Sequence, residues 1–179
     1  MLTNENTVLT LVDIQAKLIP VMYEKDLLIK QLKTLVQGAV YIGLPVLWLE
    51  QYPKGLGATI SDIVELLPNN APIAKTSFSA WGSTEFRQEL QGFDRPNVLI
   101  AGIESHICVY QTVCDLLKRG YRTEIVVDAI TSRTKANRNI GIERMKQSGA
   151  NITSVEMCLF ELLRTAESTN FKRIATLVK

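Results

Sequence analysis

The length, composition and charge of this chain are those of an ordinary globular protein. Its 179 residues are 46% hydrophobic and 21% charged, which is enough apolar material for a sizeable core and too little charge for a disordered chain. Twenty basic and eighteen acidic residues leave a net charge of +2, and the basic residues are scattered, so nucleic acid is not an expected partner. We predict a single domain that spans residues 1–179.

The sequence shows no pattern of a secretory signal or of a membrane span. Residues 1–7 are polar, and the longest apolar stretches, such as residues 44–49, are far too short to cross a bilayer. We therefore expect a cytoplasmic protein that has no membrane partner.

The cysteines and the single histidine exclude several classes of site. Cys108, Cys114 and Cys158 are an odd number without C-x-x-C spacing, so they are expected to be reduced thiols. His106 is the only histidine, which rules out any site that needs two imidazoles from one subunit, including the common zinc hydrolase sites. We predict neither a metal nor a cofactor.

Six short, β-branched apolar runs alternate with longer segments of helical period. The predicted strands are residues 7–12, 45–49, 72–74, 97–101, 123–127 and 151–154. Such alternation is typical of strand–helix–strand units, which build a parallel sheet covered on both faces. The predicted fold is therefore α/β, with a six-stranded and mostly parallel sheet between two layers of helices.

Apolar stripes at helical spacing fill the gaps between these strands. The first stripe consists of Leu28, Leu32, Leu35, Val36, Ala39 and Ile42, and Gly43 with Pro45 ends it. The second consists of Val113, Leu116 and Leu117 and ends at Gly120, and the third consists of Ile140, Met145 and Ala150 and ends near Gly149. In the charged tail, a fourth stripe of Phe171, Ile174, Leu177 and Val178 is predicted to dock on the chain's own sheet, with a subunit interface as the alternative.

Three polar residues follow predicted strands, where open parallel sheets bind their ligands. Asp13 follows the first strand, Lys75 the third, and Cys108 lies a few residues past the fourth. An acid, a base and a thiol are therefore expected to converge at one edge of the sheet. Each also has an ordinary structural interpretation: a turn or helix cap for aspartate, a solvated charge for lysine, and a small buried residue for cysteine.

Cys108 stands near the start of a predicted helix. Ser105 is a candidate cap that would place the Cys108 sulfur in the first turn, where the positive helix end favours the thiolate. Cys114 and Cys158 fit packing positions better. His106 lies two residues from Cys108, a separation that turns side chains apart on a helix, so a helix-start or binding position is favoured over a general base.

The order of these motifs resembles that of the isochorismatase-like cysteine hydrolases. The stretches that carry the resemblance are VDIQ at 12–15, KTSF at 75–78 and GIESHICV at 102–109. Further stretches resemble the subgroup of isochorismatase domain-containing proteins: EQYPKGLG at 50–57, VDA at 127–129 with Ser132 and Arg133, and MKQSGA at 145–150. The resemblance runs nearly from end to end and implies a three-layer α/β/α Rossmann-like fold.

The resemblance also implies roles for individual residues. Cys108 would be the nucleophile, Asp13 would take and return its proton, and Lys75 would hold the charged groups in place. The family implies a cis peptide bond between Ile103 and Glu104, which would direct the backbone N–H groups of Glu104 and Cys108 toward an oxyanion.

Departures from the relatives narrow the expected substrate. Nicotinamidases resemble this chain but carry metal-binding histidines after the second strand, and residues 50–57 contain none. True isochorismatases act without needing the cysteine, so Cys108 points to acyl transfer on a small amide or related carbonyl compound. Candidates for lining the pocket are Gln15, Gln51, Phe78 and Trp81, with packing or loop roles equally open. Because relatives often assemble, we expect a homo-oligomer.

Two other classes of function compete with this interpretation. A nucleotide-binding module is disfavoured because the stretch GLGATI at 55–60 lacks the final glycine of the dinucleotide fingerprint and does not follow the first strand. A catalytically silent interaction protein that keeps the fold is harder to separate, since fold does not guarantee activity.

Overall fold

The computed structural model describes residues 1–67 and 69–179. Its six strands form one sheet in the order β3-β2-β1-β4-β5-β6, and every strand pair is parallel. The strands are β1 (Thr7–Val12), β2 (Val46–Gln51), β3 (Ile73–Lys75), β4 (Asn97–Ile103), β5 (Arg122–Thr131) and β6 (Asn151–Thr153). The predicted fold class is confirmed, with the difference that the sheet is wholly parallel.

In the described part of the chain, eight α-helices connect and cover these strands. They are α1 (Lys25–Ile42), α2 (Pro53–Leu56), α3 (Ser61–Val64), α4 (Thr84–Gly92), α5 (Tyr110–Leu117), α6 (Lys135–Gln147), α7 (Val155–Leu163) and α8 (Phe171–Leu177). One apolar core lies between the sheet and the helices α1, α3, α7 and α8, and a second lies between the sheet and α4, α5 and α6. The sheet is therefore the middle of three layers. No helix in the described part of the chain is long and apolar enough to cross a membrane.

The strand order changes direction between β1 and β4, which are neighbours in the middle of the sheet. This pair is a topological switch point, where the crossover connections leave in opposite directions and open a crevice at the carboxyl ends. Gly102 allows the two strands to approach there, because a Cβ at this position would lie 2.1 Å from the carbonyl oxygen of Val12. β4 consequently continues to Ile103, two residues beyond the predicted end.

The C-terminal tail docks on the chain itself, as predicted. Ile174 of α8 has no exposed surface and belongs to the core beneath α1 and α7. Phe171 packs edge-on against Phe160 with ring centroids 6.3 Å apart, and the guanidinium of Arg173 lies 4.4 Å from the ring of Tyr41.

The stripe predicted for the third helix is partly wrong. Ile140 lies on α6 but is 58% exposed, and Ala150 lies beyond the end of the helix. The helix buries Gly141 instead, because its backbone packs closely against the turn that follows β4.

Candidate active site

The structure brings Asp13, Lys75 and Cys108 together at the carboxyl edge of the sheet. The Nζ atom of Lys75 lies 2.8 Å from Oδ2 of Asp13, and neither side chain has more than 1% of its surface exposed. Cys108 lies near enough to the Asp13 carboxylate for each group to shift the pKa of the other. Cys108 itself is 8% exposed. Three residues from distant parts of the chain thus form one buried polar cluster at the switch point.

Asp13 is placed by the backbone at the end of β1. Its φ of 54° is in the left-handed region, which aspartate tolerates better than most side chains. Its N–H donates to the carbonyl of Leu49 at 3.1 Å, while its own carbonyl accepts from the N–H of Gln15 at 2.8 Å. The chain therefore turns sharply after the strand and directs the carboxylate into the crevice.

The hydrogen bonds of the Lys75 ammonium are all made within the protein. Its Nζ atom donates to Oδ2 of Asp13 at 2.8 Å and to Oε1 of Gln51 at 2.7 Å, and it lies 3.2 Å from the carbonyl of Phe78. An ammonium has three N–H groups, so no donor is left over for a ligand. Lys75 can therefore influence a reaction mainly through its charge and by holding Asp13 in position.

Burial raises the pKa of Asp13 above its ordinary value, against the opposing attraction of the Lys75 ammonium and the hydrogen bonds from Lys75 and Cys108. The second carboxylate oxygen, Oδ1, is buried and has no nitrogen or oxygen partner among residues 1–67 and 69–179. That oxygen is available as the acceptor for the Cys108 proton.

The structure does not support the expectation that the helix start favours the Cys108 thiolate. Burial, reinforced by the negative charge of Asp13, raises the pKa of the Cys108 thiol to about 12, and the lowering effect of Lys75 does not compensate. The predicted cap is also absent: the turn Ser105–Val109 is π-helical, and the hydroxyl of Ser105 bonds that of Ser132 instead of a backbone N–H. The resting cysteine is therefore a thiol that needs a base.

The predicted oxyanion donors lie in a tightly bonded turn. The peptide bond between Ile103 and Glu104 is cis. The carbonyl of Glu104 accepts from the N–H groups of Ile107 at 3.0 Å and Val109 at 3.2 Å. The carboxylate of Glu104 accepts from both the backbone N–H and Nε of Arg133, each at 3.1 Å. These contacts fix the backbone that carries the amides of Glu104 and Cys108.

Two of the predicted pocket residues, Gln15 and Gln51, are hydrogen-bonded to other parts of the site. Gln15 has no exposed surface, and its amide bonds the backbone of Gln51 and the carbonyl of Gly57. Gln51 spans from Lys75 to the carbonyl of Thr76, to which its Nε2 donates at 2.7 Å. The structure therefore gives both glutamines protein partners in place of an open pocket.

The other two predicted pocket residues have different surroundings. The side chain of Phe78 is on the surface, 54% exposed, and only its carbonyl reaches Lys75. Trp81 packs against Tyr121 with ring centroids 6.0 Å apart, and the guanidinium of Arg119 lies 4.5 Å from its ring. Tyr121 and Arg119 follow the C-terminal end of α5, whereas Cys108 precedes its start, so the packing of Trp81 is at the opposite end of this helix.

Sequence reasoning missed the support for the cysteine turn. Ser105 and Ser132 are both completely buried, with their hydroxyl oxygens 2.6 Å apart, and Nδ1 of His106 lies 3.0 Å from the Ser132 oxygen. The only signal for Ser132 was its place in a stretch that resembles a family motif. Its partner is far away in sequence, so spacing could not reveal the contact.

The fold and the site define a three-layer α/β/α protein of the Rossmann-like class with a carboxylate, an ammonium and a thiol at the switch point of its sheet. The model for the isochorismatase domain matches residues 7–157, and the chain belongs to the isochorismatase family. This membership supports a hydrolase function. Within the described residues, no group of three or more His, Cys, Asp or Glu side chains is placed to hold a metal ion.

Similar proteins come from distant organisms. The chain is 36% identical over 178 residues to the secreted isochorismatase effector Isc1 of Phytophthora sojae, covering 97% of this chain and 85% of the relative. It is 34% identical over 176 residues to mouse isochorismatase domain-containing protein 2A, covering 98% and 84%. A solved structure called MAR1 ribonuclease from Caenorhabditis elegans is 34% identical, with a TM-score of 0.93, and the match covers 99% of this chain and 91% of that one. The resemblance to the domain-containing subgroup is thus confirmed.

Proposed function

We propose that this protein hydrolyses a small amide or related carbonyl compound, with Cys108 as the nucleophile and Asp13 as the general acid and base. The observation that supports this most directly is a buried carboxylate that bonds an ammonium at 2.8 Å and lies near enough to a thiol to shift the pKa of that thiol. A thiol that is not ionised at rest can still attack a carbonyl if a base removes its proton during the attack.

In the first step, Oδ1 of Asp13 takes the proton of the Cys108 thiol as the sulfur bonds to the substrate carbonyl carbon. The carbonyl oxygen becomes an oxyanion, for which the amides of Glu104 and Cys108 are the proposed donors. When this intermediate collapses, the bond to the leaving nitrogen breaks, and Asp13 returns the proton to that nitrogen. The products are an amine and a thioester on Cys108.

In the second step, water attacks the thioester while Asp13 accepts one of its protons. The carbon–sulfur bond breaks, the sulfur takes back a proton from Asp13, and a carboxylic acid leaves. Lys75 keeps the carboxylate in place throughout and stabilises its charge between the two steps. Because its N–H groups are occupied, Lys75 is not proposed to bind the substrate directly.

Burial of the cluster favours a small substrate. Asp13, Lys75 and Cys108 are 1%, 4% and 8% exposed, so only a compact group can reach the sulfur. The alternative is a catalytically silent interaction protein with the same fold. It predicts that no substrate is turned over at the buried cluster.

The test is a panel of small amides, ureides and esters given to the wild type, to Cys108→Ala and to Cys158→Ala. We expect Cys108→Ala to lower kcat/KM by about 10³-fold or more, because a nucleophile is lost, while Cys158→Ala retains activity. Unchanged turnover by a folded Cys108→Ala protein would discard the cysteine mechanism. No turnover by the wild type across the panel would favour the silent alternative.

An oligoribonucleotide belongs in the same panel, since the similar protein from Caenorhabditis elegans carries the name ribonuclease. RNA cleavage that survives in Cys108→Ala would show an activity outside the proposed site.

We also propose that the protein is a cytoplasmic homo-oligomer. The relative from Phytophthora sojae is named a secreted effector, so location varies among similar proteins. Large apolar side chains on the surface, among them Val21, Phe78 and Ile140, each more than half exposed, are candidates for subunit contacts. Light scattering of the purified protein tests the assembly, and a monomer at micromolar concentration would contradict it.

A further inference from the structure

The hydroxyl of Ser132 occupies the centre of a buried polar array beside the Cys108 turn. It lies 2.6 Å from the hydroxyl of Ser105 and 3.0 Å from Nδ1 of His106, and the Ser105 oxygen lies 3.4 Å from the carbonyl of Arg138. Both serines have no exposed surface. Buried hydroxyls that are fully bonded specify one arrangement of the elements that carry them, because any other arrangement leaves a polar group without a partner.

Two short contacts hold the side chains of this array in one orientation. The hydroxyl oxygens of Ser105 and Ser132 are 2.6 Å apart, and Nδ1 of His106 lies 3.0 Å from the Ser132 oxygen. Hydroxyls can donate or accept, and either partner can be the donor in each contact. The array therefore fixes the ring orientation of His106.

The array joins elements that are separate in sequence. Ser105 and His106 begin the turn Ser105–Val109 that carries Cys108, whereas Ser132 directly follows β5. Ser132 is itself held in place, because its carbonyl accepts from the N–H of Tyr23 at 2.9 Å. The end of β5 is thus a fixed point to which the cysteine turn is bonded.

The opposite side of the same turn is closed by α6. A Cβ added to Gly141 would lie 2.7 Å from the carbonyl carbon of Ser105 and 2.8 Å from the backbone nitrogen of His106. The turn is therefore enclosed between the backbone of α6 and the hydroxyl of Ser132. The hydroxyl bonds help to hold it against α6.

We propose that Ser132 is a positioning residue for the nucleophile: through Ser105 and His106 it holds the Cys108 turn where the thiol meets Asp13. This inference rests on the proposed function. It assigns Ser132 no contact with the substrate. Its effect is on how often the sulfur and the carboxylate are aligned for proton transfer, which influences kcat more than KM.

The experiment compares Ser132→Ala with Ser154→Ala. The control removes a serine hydroxyl that accepts from the backbone N–H of Met157, at the start of α7 and away from the site. We expect Ser132→Ala to lower kcat roughly 10- to 100-fold with KM changed less than about 3-fold, as for misalignment of reacting groups. Ser154→Ala should keep both constants.

A second measurement needs no substrate. At pH 9, iodoacetamide should label Cys108 about 3-fold faster or more in Ser132→Ala than in the wild type, because the freed turn exposes the buried thiol. Cys158, which has no exposed surface, is the internal reference and should label at an unchanged rate. Acceleration at both cysteines would indicate general unfolding and would overturn the proposal.

The inference fails separately from the proposed function. If Cys108→Ala abolishes turnover while Ser132→Ala keeps wild-type kcat and labelling, only the positioning role of Ser132 is wrong. If Cys108→Ala retains turnover, the proposed function is wrong, and the labelling ratio alone decides whether Ser132 holds the turn.

Discussion

Cys108 and Cys158 occupy equivalent local positions but have different surroundings. Each lies five residues after the last residue of a parallel strand, from 103 to 108 after β4 and from 153 to 158 after β6. β4 is beside the switch point, so Cys108 meets Asp13 and Lys75, whereas β6 is at the sheet edge and Cys158 lies in the apolar core beneath α1 and α7. The thiol of Cys158 bonds the carbonyl of Val155. The place of a strand in the sheet therefore decides whether the residue that follows it can do chemistry.

Burial raises the pKa of both thiols, so ionisation at rest does not distinguish them. What differs is the neighbour: Cys108 has a carboxylate that can take its proton and an ammonium that holds this carboxylate. The comparison predicts that changes around Cys108 affect activity, whereas matched changes around Cys158 affect only stability.

The largest effect is expected from the buried ion pair. Lys75→Met should lower the free energy of unfolding by about 3–5 kcal/mol, because it leaves the Asp13 charge buried without its partner. Adding Asp13→Asn to Lys75→Met should restore part of this loss. Urea unfolding measures both. The control in the other region is Asp128→Asn, which alters a carboxylate that accepts from the N–H of Val155 near Cys158; a loss as large as that of Lys75→Met would contradict the comparison.

A smaller effect is expected from substituting two glycines, each of which packs against a segment that carries one of the cysteines. Gly141→Ala should cost about 1–3 kcal/mol of stability, since the new Cβ meets backbone of the Cys108 turn, and should also lower kcat. Gly38→Ala places a Cβ 2.5 Å from Cδ2 of Leu159, a side chain that can shift, and should leave kcat unchanged. Thermal unfolding and steady-state kinetics check both variants, and equal effects on kcat would show that the Cys108 turn has no special sensitivity.

The smallest and most specific effects concern pH. Because burial raises the pKa of Asp13, the base is lost as pH falls through that raised value, so the acid limb of kcat/KM should lie above the ordinary range of aspartate. Alkylation of Cys108 should rise roughly tenfold for each pH unit between 7 and 9, as the thiolate fraction grows. Mass spectrometry of the labelled peptide follows this rate. Rapid labelling of Cys108 at pH 7 that does not change with pH would contradict the raised thiol pKa.

Individual elements and residues show which features could be predicted from the sequence. The alternation of apolar runs with helical segments predicted all six strands and the parallel sheet, because this alternation is visible in the local sequence even where a strand has only three residues, as β3 and β6 do. The predicted ends of the strands were less accurate. β4 and β5 extend beyond their apolar runs because they continue to pair with neighbouring strands. Gln15 was predicted to line a pocket and instead bonds the backbone of Gln51 and Gly57, which lie more than thirty residues away.

The sequence by itself determined the type of each major element, the layered architecture and which three polar residues follow strands and converge at one edge of the sheet, because these depend on short-range periodicity and on positions after strands. Only the tertiary structure decided that burial and the charge of Asp13, and not the helix start, set the pKa of the Cys108 thiol, and that Ser132 bonds Ser105 and His106 of its turn. The physical reason is that pKa values and buried hydrogen bonds depend on desolvation and on neighbours in space, and both are set when distant segments pack together.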